Sequence, residues 1–227
     1  MSELQLSRNA GATAPAVALE VAPTPQPHPG YDASKRLLDV VGALLMLVFA
    51  VPLVVVSAAI ILITSGRPVF FAQRRLGHRG QEFTCWKLRT MVPDAEQRRD
   101  EVLHLNTTGG PAFKHPDDPR LTGIGRHLRA FSIDELPQLW NVLRGELSLV
   151  GPRALPVLEN QYTGRQADRL SVKPGLTCIW QVSGRSEVTF ERWMEMDLEY
   201  VDSRSIWKDL MLLLRTPMAV LSGRGAM

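Results

Sequence analysis

The longest apolar run in the chain extends over residues 40–66 and contains no Asp, Glu, Lys or Arg. A helix rises about 1.5 Å per residue, so this run would reach roughly 40 Å, which exceeds the hydrocarbon core of a bilayer. A chain of 227 residues rarely buries so long a helix that is apolar on every face. The pattern therefore predicts a membrane segment rather than a core helix.

Pro52 divides this run into two halves, and each half is too short to span a bilayer alone. Proline removes a backbone donor and clashes with the preceding turn, so we expect a bend there. Basic residues stand on both sides, at Lys35 and Arg36 before the run and at Arg67 after it. Because basic flanks favour the cytoplasm, both ends are expected there. This favours a re-entrant hairpin over a kinked span, and the residues alone leave both open.

Alternating apolar and polar residues follow the membrane run. Residues 67–77 and 82–91 have the pattern of two strands joined by a short turn, which predicts a β-hairpin. Helical spacing occupies residues 121–130. Residues 205–221 carry a broad apolar face that ends near Pro217 and could pack on the core or lie at the membrane interface. Together these segments predict an α+β fold that is mostly helical.

Composition narrows the class further. The chain is long enough for one domain of ordinary size. Its two cysteines, Cys85 and Cys178, can form neither a disulfide framework nor a four-ligand zinc site, so we expect a reducing compartment. The net charge is +3, and the positive excess lies beyond residue 34. Residues 1–30 hold five prolines without a periodic apolar face, and we expect a disordered tail rather than a secretory signal.

Arginines and adjacent carboxylates concentrate in residues 126–155, whereas the common phosphate-loop, dinucleotide and nucleophile-elbow motifs are absent. Asp134 and Glu135 fall in the first turn of a predicted helix that Gly145 would end, with either Ser132 or Asp134 as its cap. Acids there favour the helix dipole, which is a sufficient structural reason by spacing alone. The alternative is catalytic: one acid attacks while the other holds a divalent cation or a proton. The arginines suit a phosphate substrate or anionic lipid.

From about Lys35 onward, the chain resembles the bacterial sugar transferases, which are monotopic polyprenyl-phosphate phosphoglycosyl transferases. The motifs that carry the resemblance, in the family's order, are KRLLDVVGALL, FFAQRRLG, WKLRTM, DPRLTGIGRHLR, SIDELPQLWNVLRGELSLVGPR, KPGLTCIWQVSGRS and MDLEYV. The resemblance leaves the tail, residues 1–33, outside it, and it implies a re-entrant membrane helix over 34–66 broken at Pro52 and a cytoplasmic catalytic domain over 67–227. That domain would carry a small β-hairpin and interfacial amphipathic helices.

The resemblance also implies an activity: transfer of a hexose 1-phosphate from a UDP-sugar to undecaprenyl phosphate, with release of UMP. This is the first membrane step of exopolysaccharide, O-antigen or capsule synthesis. Asp134 matches the nucleophile that forms a covalent phosphosugar intermediate, and Glu135 matches the second acid, with both beside Mg²⁺. The residues that match substrate- and phosphate-binding positions are Lys87, Arg129, Arg153 and Asp197.

The family implies the bacterial inner membrane, with the catalytic domain facing the cytoplasm and in contact with membrane lipid, and it leaves a homo-oligomer open. The closing residues LSGRGAM are most similar to members that use glucose or galactose. A rival hypothesis is a non-catalytic membrane adaptor of polysaccharide assembly, against which the complete Asp134–Glu135 pair argues. A nucleic-acid partner is not expected, because no interleaved aromatic platform accompanies the basic residues.

Overall fold

The computed structural model describes residues 30–106, 115, 117–156, 162, 164–184 and 188–222. The helices are α1 (Tyr31–Ser65), α2 (Arg99–Val102), α3 (Gly123–Ala130), α4 (Leu139–Arg144), α5 (Ile179–Val182), α6 (Phe190–Ser203) and α7 (Ile206–Leu221). The strands are β1 (Phe70–Leu76), β2 (Glu82–Leu88), β3 (Ser148–Val150) and β4 (Gly175–Thr177). The predicted α+β class is confirmed. Residues 1–29, which hold most of the predicted disordered tail, lie outside the described residues.

Helix α1 contains the predicted membrane segment and is buried along one stripe only. Within the described ranges it is the helix that is long and apolar enough to cross a bilayer. The stripe consists of Asp39, Ala43, Ala50, Ser57 and Ile61. The remaining faces are apolar and exposed, unlike those of a core helix. Pro52 lies within α1, whose residues are helical on both sides of it, and the re-entrant hairpin stays a prediction.

Both halves of α1 pack against the same body of the protein. Ala43 and Ala50 of the first half join the main core, which α4 and β3 also build. Ile61 of the second half packs with Leu88 of β2 and Leu128 of α3. Helix α1 therefore packs with both of its halves against the elements that follow it in the chain.

A buried polar network fixes the start of α1 to α6 and α7. The Lys35 Nζ atom lies 3.1 Å from Oδ2 of Asp209, which is fully buried. The hydroxyls of Tyr31 and Tyr200 donate to the same carboxylate at 3.0 and 2.7 Å. A buried charge is tolerated only when paired, so these partners depend on one another.

Two small two-stranded sheets follow α1. β1 and β2 form the predicted antiparallel hairpin, which is confirmed, with Phe71 opposite Lys87. β3 and β4 are parallel, with Ser148 opposite Gly175. A Cβ atom on Gly175 would lie 2.0 Å from the Gly151 nitrogen, so only glycine permits this close approach of the two backbones.

Helix α7 departs from the prediction at its C-terminal end, because it continues through Pro217 to Leu221. Proline removes one backbone donor, and here that loss falls in the penultimate turn of a helix whose earlier turns are intact. The Thr216 hydroxyl also donates to the Leu212 carbonyl at 2.7 Å, and Leu212 is buried in the main core. Packing of the helix therefore outweighs the local preference of proline to end it.

We predict that Asp209→Ala lowers the free energy of unfolding by about 3 kcal/mol, because it strips the nearly buried Lys35 ammonium of its closest acid. Denaturant titration of the detergent-solubilised protein measures the change. Asp202→Ala removes an exposed acid from α6 and should shift the same free energy by less than about 0.5 kcal/mol. Equal shifts for the two variants would contradict the prediction.

Candidate active site

A cavity of about 330 Å³ brings together five of the six predicted site residues, which are Lys87, Arg129, Asp134, Glu135 and Arg153. Lys87 comes from β2, Arg129 from the last turn of α3, and Arg153 from the loop after β3. Asp134 and Glu135 are only 5% and 8% exposed. The cavity therefore combines two buried carboxylates with three cationic side chains.

A short 3₁₀ helix, Ile133–Gln138, positions both acids in its first turn, as predicted. Neither of the two caps that the sequence left open is formed. Ser132 has a left-handed backbone with φ of 55° rather than the extended conformation of a capping residue, and its side chain makes no cap hydrogen bond. Gly145 ends α4 with φ of 78°, which confirms the predicted helix end.

Glu135 is held between two cations. Lys87 Nζ donates to Oε1 at 2.8 Å, and Arg153 donates to Oε2 through Nη1 at 3.2 Å and to Oε1 through Nη2. Burial alone would raise the pKa of Glu135, but the charges and hydrogen bonds of Arg153 and Lys87 hold that pKa well below its usual range. Glu135 is therefore ionised and fixed in orientation.

Asp134 differs from its neighbour because no group in the described part of the chain donates a hydrogen bond to its carboxylate, which lines the cavity. Burial raises the pKa of Asp134, and the adjacent Glu135 carboxylate raises it further. Lys87, Arg129 and Arg153 act in the opposite direction without cancelling the rise. A basic, weakly hydrogen-bonded carboxylate that faces a cavity is suited to nucleophilic attack.

Thr90 orients Arg129 towards the cavity. The Arg129 Nε atom donates to Thr90 Oγ1 at 2.9 Å, and the two terminal nitrogens make no hydrogen bond to the described residues. Gly125 allows α3 to pack closely against the backbone of Thr90, because a Cβ atom there would lie 1.9 Å from the Thr90 carbonyl oxygen. The guanidinium of Arg129 is thus presented to the cavity with its charge available to a phosphate.

Asp197 lies outside the cavity wall, behind Arg153. Its side chain is 1% exposed and accepts from Arg169 Nε at 3.0 Å. Arg169 in turn donates to the backbone carbonyl of Arg153 at 2.5 Å and to the Tyr162 hydroxyl at 2.9 Å. In the structure Asp197 contacts the site through Arg169, and its predicted contact with substrate stays a prediction.

The acidic pair offers few ligands for a metal ion. Among the residues that the structure describes, no three His, Cys, Asp or Glu side chains come together as a metal site. Magnesium usually takes one or two carboxylates and completes its octahedron with water and substrate phosphates. The Asp134 oxygens are open, whereas those of Glu135 already accept from two cations. This donor set fits Mg²⁺ that arrives with a diphosphate substrate rather than an all-protein site.

Several cavity residues were not selected from the sequence, namely Arg75, Arg89, Thr90, Trp180 and Trp193. The two tryptophan rings stack with centroids 4.4 Å apart, and a buried pair of this kind looks like ordinary core in a sequence. Arg89 and Thr90 could have been found, because they follow Lys87 in the same motif. Burial raises the pKa of the Cys178 thiol to about 12, in agreement with a structural cysteine.

We predict that Thr90→Val weakens the binding of inorganic pyrophosphate about 2- to 10-fold, because Arg129 keeps its charge but loses the hydrogen bond that orients it. Thr90→Ser retains a hydroxyl and should restore the dissociation constant. Isothermal titration calorimetry on the two variants makes the comparison. Unchanged affinity in Thr90→Val would show that Thr90 has no part in presenting Arg129.

Comparison with known proteins identifies the family. Residues 30–223 match the sequence profile of the bacterial sugar transferases. Galactosyl transferase CpsE of Streptococcus agalactiae is 43% identical over 199 residues, which cover 85% of this chain and 43% of that protein. The exopolysaccharide production protein ExoY of Rhizobium meliloti is 38% identical over 200 residues, covering 85% and 88% of the two chains.

The UDP-glucose:undecaprenyl-phosphate glucose-1-phosphate transferase of Caulobacter vibrioides is 38% identical over 208 residues, covering 87% of this chain and 73% of that protein. The chain thus spans less than half the length of the Streptococcus protein and most of the length of the other two. The family profile covers all the elements that build the cavity. The chain belongs to the bacterial sugar transferase family.

Proposed function

We propose that the protein transfers a hexose 1-phosphate from a UDP-sugar to undecaprenyl phosphate and releases UMP, as the first membrane step of polysaccharide synthesis. The observation that carries the proposal is the unequal pair of acids: Asp134 is open to a cationic cavity, while Lys87 and Arg153 hold Glu135. Family membership supports it, and the name of the Caulobacter relative describes this transfer with glucose.

In the first step, a carboxylate oxygen of Asp134 attacks the sugar-bearing phosphorus of the UDP-sugar. The bond from that phosphorus to the bridging oxygen of the diphosphate breaks, and UMP leaves with this oxygen. Asp134 then carries the hexose phosphate as an acyl phosphate. The raised pKa of Asp134 supports this role, because a more basic carboxylate is a better nucleophile once it is ionised.

In the second step, a phosphate oxygen of undecaprenyl phosphate attacks the same phosphorus. The bond between that phosphorus and Asp134 breaks, which gives the diphosphate-linked sugar and restores the carboxylate. Neither nucleophile has to lose a proton when it is ionised, so the mechanism requires no general base. Glu135 therefore acts chiefly by ordering Lys87 and Arg153 around the reacting phosphate.

Charge on the transferring phosphoryl group is stabilised by the cations that line the cavity. The terminal nitrogens of Arg129 have no hydrogen-bond partner among the described residues, and Lys87 and Arg153 are held in place by Glu135. Preorganised donors of this kind cost no reorganisation at the moment of reaction. Asp134 offers the open carboxylate that would hold Mg²⁺ together with the diphosphate, and the ion would neutralise charge and make UMP a better leaving group.

We place both ends of α1 on the cytoplasmic face of the inner membrane. The start of α1 is held by Asp209 and its last carbonyls by Arg89, and both residues belong to the same body. A helix that crossed the bilayer would separate its ends by about 30 Å of hydrocarbon. Basic residues at both ends, such as Lys35 and Arg67, favour the cytoplasm. These contacts support a re-entrant helix.

Helix α7 supplies a second lipid-facing surface. One of its faces is apolar and exposed, with residues spaced three or four apart: Trp207, Met211, Leu214, Met218 and Leu221. The opposite face buries Asp209 and Leu212 against the core. A helix with this division lies in the interface of a bilayer with its apolar face in the acyl chains. Helix α7 thus packs on the core with one face and lies at the membrane interface with the other, which combines the two alternatives that the sequence left open.

We predict that the purified protein in detergent, given Mg²⁺ and undecaprenyl phosphate, releases UMP with one member of a panel of UDP-hexoses, glucose or galactose being expected. Asp134→Asn abolishes release because the amide is not a nucleophile, and Glu135→Gln retains a small part of the activity. Nucleotides are identified by chromatography, with Arg74→Gln on the exposed surface of β1 as a control that keeps full activity.

Three other results would contradict the proposal. Release of UDP would indicate ordinary glycosyl transfer. Near-normal rates in Asp134→Asn would exclude Asp134 as the nucleophile. No release across the panel by folded protein would favour a non-catalytic adaptor.

The raised pKa of Asp134 predicts the acid limb of the pH profile. The ionised fraction of Asp134 falls as the pH drops through its raised pKa, so kcat/KM declines at a higher pH than an ordinary aspartate would give. Glu135→Gln removes the neighbouring negative charge and frees Lys87 and Arg153 to favour the Asp134 carboxylate. The limb of its residual activity should therefore move to lower pH. A limb that stays or rises would contradict the assignment.

A further inference from the structure

Arg89 occupies the junction between the membrane helix and the cavity. It follows β2 directly, and its side chain lines the cavity although it is only 5% exposed. The Nη2 atom donates to the carbonyls of Ser65 and Gly66, each at 2.7 Å. These carbonyls belong to the C-terminal end of α1, so one side of the guanidinium caps the membrane helix.

The rest of the Arg89 guanidinium is unsatisfied. Nε and Nη1 are buried and have no hydrogen-bond partner among the residues that the structure describes. No carboxylate in the same part of the chain forms an ion pair with Arg89, unlike Arg153 and Arg169. Backbone carbonyls carry only partial charge, so a full positive charge remains uncompensated in a buried place. The arrangement calls for an anion at this end of the cavity.

The surroundings of Arg89 identify the kind of anion. The neighbouring Leu88 packs against Ile61 of α1, so this side of the cavity rests on the second half of the membrane helix. The other faces of that half are exposed and apolar, including Val55 and Ile63. An anion that carries a long hydrocarbon chain could lay the chain along these faces and reach Arg89 with its head. A soluble nucleotide has no hydrocarbon chain that could pack against such a surface.

Resting on the proposed function, we propose that Arg89 binds the phosphate of the polyprenyl phosphate acceptor and that the prenyl chain lies against the second half of α1. Arg129, Lys87 and Arg153 surround the acidic pair and serve the phosphate that is transferred. The two substrates then approach from different sides: the sugar nucleotide from the open cavity and the lipid phosphate along the membrane helix. Arg89 is a binding residue for the second displacement and takes no part in the first.

The two displacements can be measured separately. Without acceptor, wild-type protein given the UDP-sugar should release up to one UMP per protein as the covalent adduct forms. With acceptor, steady-state turnover gives KM for undecaprenyl phosphate. For Arg89→Gln we expect the acceptor-independent UMP release to be unchanged and KM for the lipid phosphate to rise about 10- to 100-fold, the range for a lost charged hydrogen bond.

Two controls separate phosphate binding from the capping of α1. Arg89→Lys keeps the positive charge and a donor for the helix carbonyls, so its KM for the lipid should rise less than that of Arg89→Gln. A soluble short-chain prenyl phosphate should show the same relative rise in KM as the long-chain acceptor, since the lost contact is with the phosphate. Thermal midpoints and binding to anionic and neutral vesicles are compared for both variants.

Several outcomes would overturn the assignment. Equal loss of both displacements in Arg89→Gln would make the residue structural, as would a lowered thermal midpoint with an unchanged KM for the lipid. Loss of binding to anionic vesicles alone would assign Arg89 to lipid headgroups. A raised KM for the UDP-sugar instead of the lipid would assign it to the donor. If wild-type protein releases no UMP without acceptor, the proposed covalent mechanism fails rather than this inference.

Discussion

Glu135 accepts hydrogen bonds from Lys87 and from both terminal nitrogens of Arg153, and this buried ion cluster makes two adjacent carboxylates different from each other. An isolated pair of neighbouring acids would share its cations and titrate together. Here both oxygens of Glu135 are occupied, so the pKa of Glu135 falls while that of Asp134 rises. Glu135 thereby holds two cations in place, and Asp134 keeps a carboxylate that faces the cavity without a hydrogen-bond donor among the described residues.

The cluster depends in turn on the membrane helix. α1 packs under β2, which carries Lys87, and under the core that α4 and β3 build before the Arg153 loop. Arg36 of α1 donates to the last carbonyls of α4, at Val142 and Leu143, and so ties the helix after the acidic pair to α1. Helix α1, the predicted membrane segment, therefore forms part of the support of the site.

Local patterns in the sequence predicted the hairpin, the helix end at Gly145 and the position of the acids in a first helical turn, because each depends on nearby residues. They could not predict that Asp197 lies behind Arg153, since that contact joins residues far apart in the chain. They also could not predict that Ser132 forms no side-chain cap, because its left-handed backbone is not encoded in the spacing of Ser132 and Glu135. Adjacent carboxylates among clustered arginines already made Asp134 and Glu135 candidates, the family resemblance assigned roles to the five gathered residues, and only the structure gave their hydrogen bonds.

The most direct test of the account is peptide mapping of the covalent intermediate by mass spectrometry. Protein incubated with its UDP-sugar, without lipid acceptor, is digested and examined for a peptide that has gained one hexose phosphate. The proposed mechanism predicts the adduct on Asp134 and its disappearance when undecaprenyl phosphate is added before digestion. An adduct on another residue, or full product formation from protein that never forms one, would contradict it.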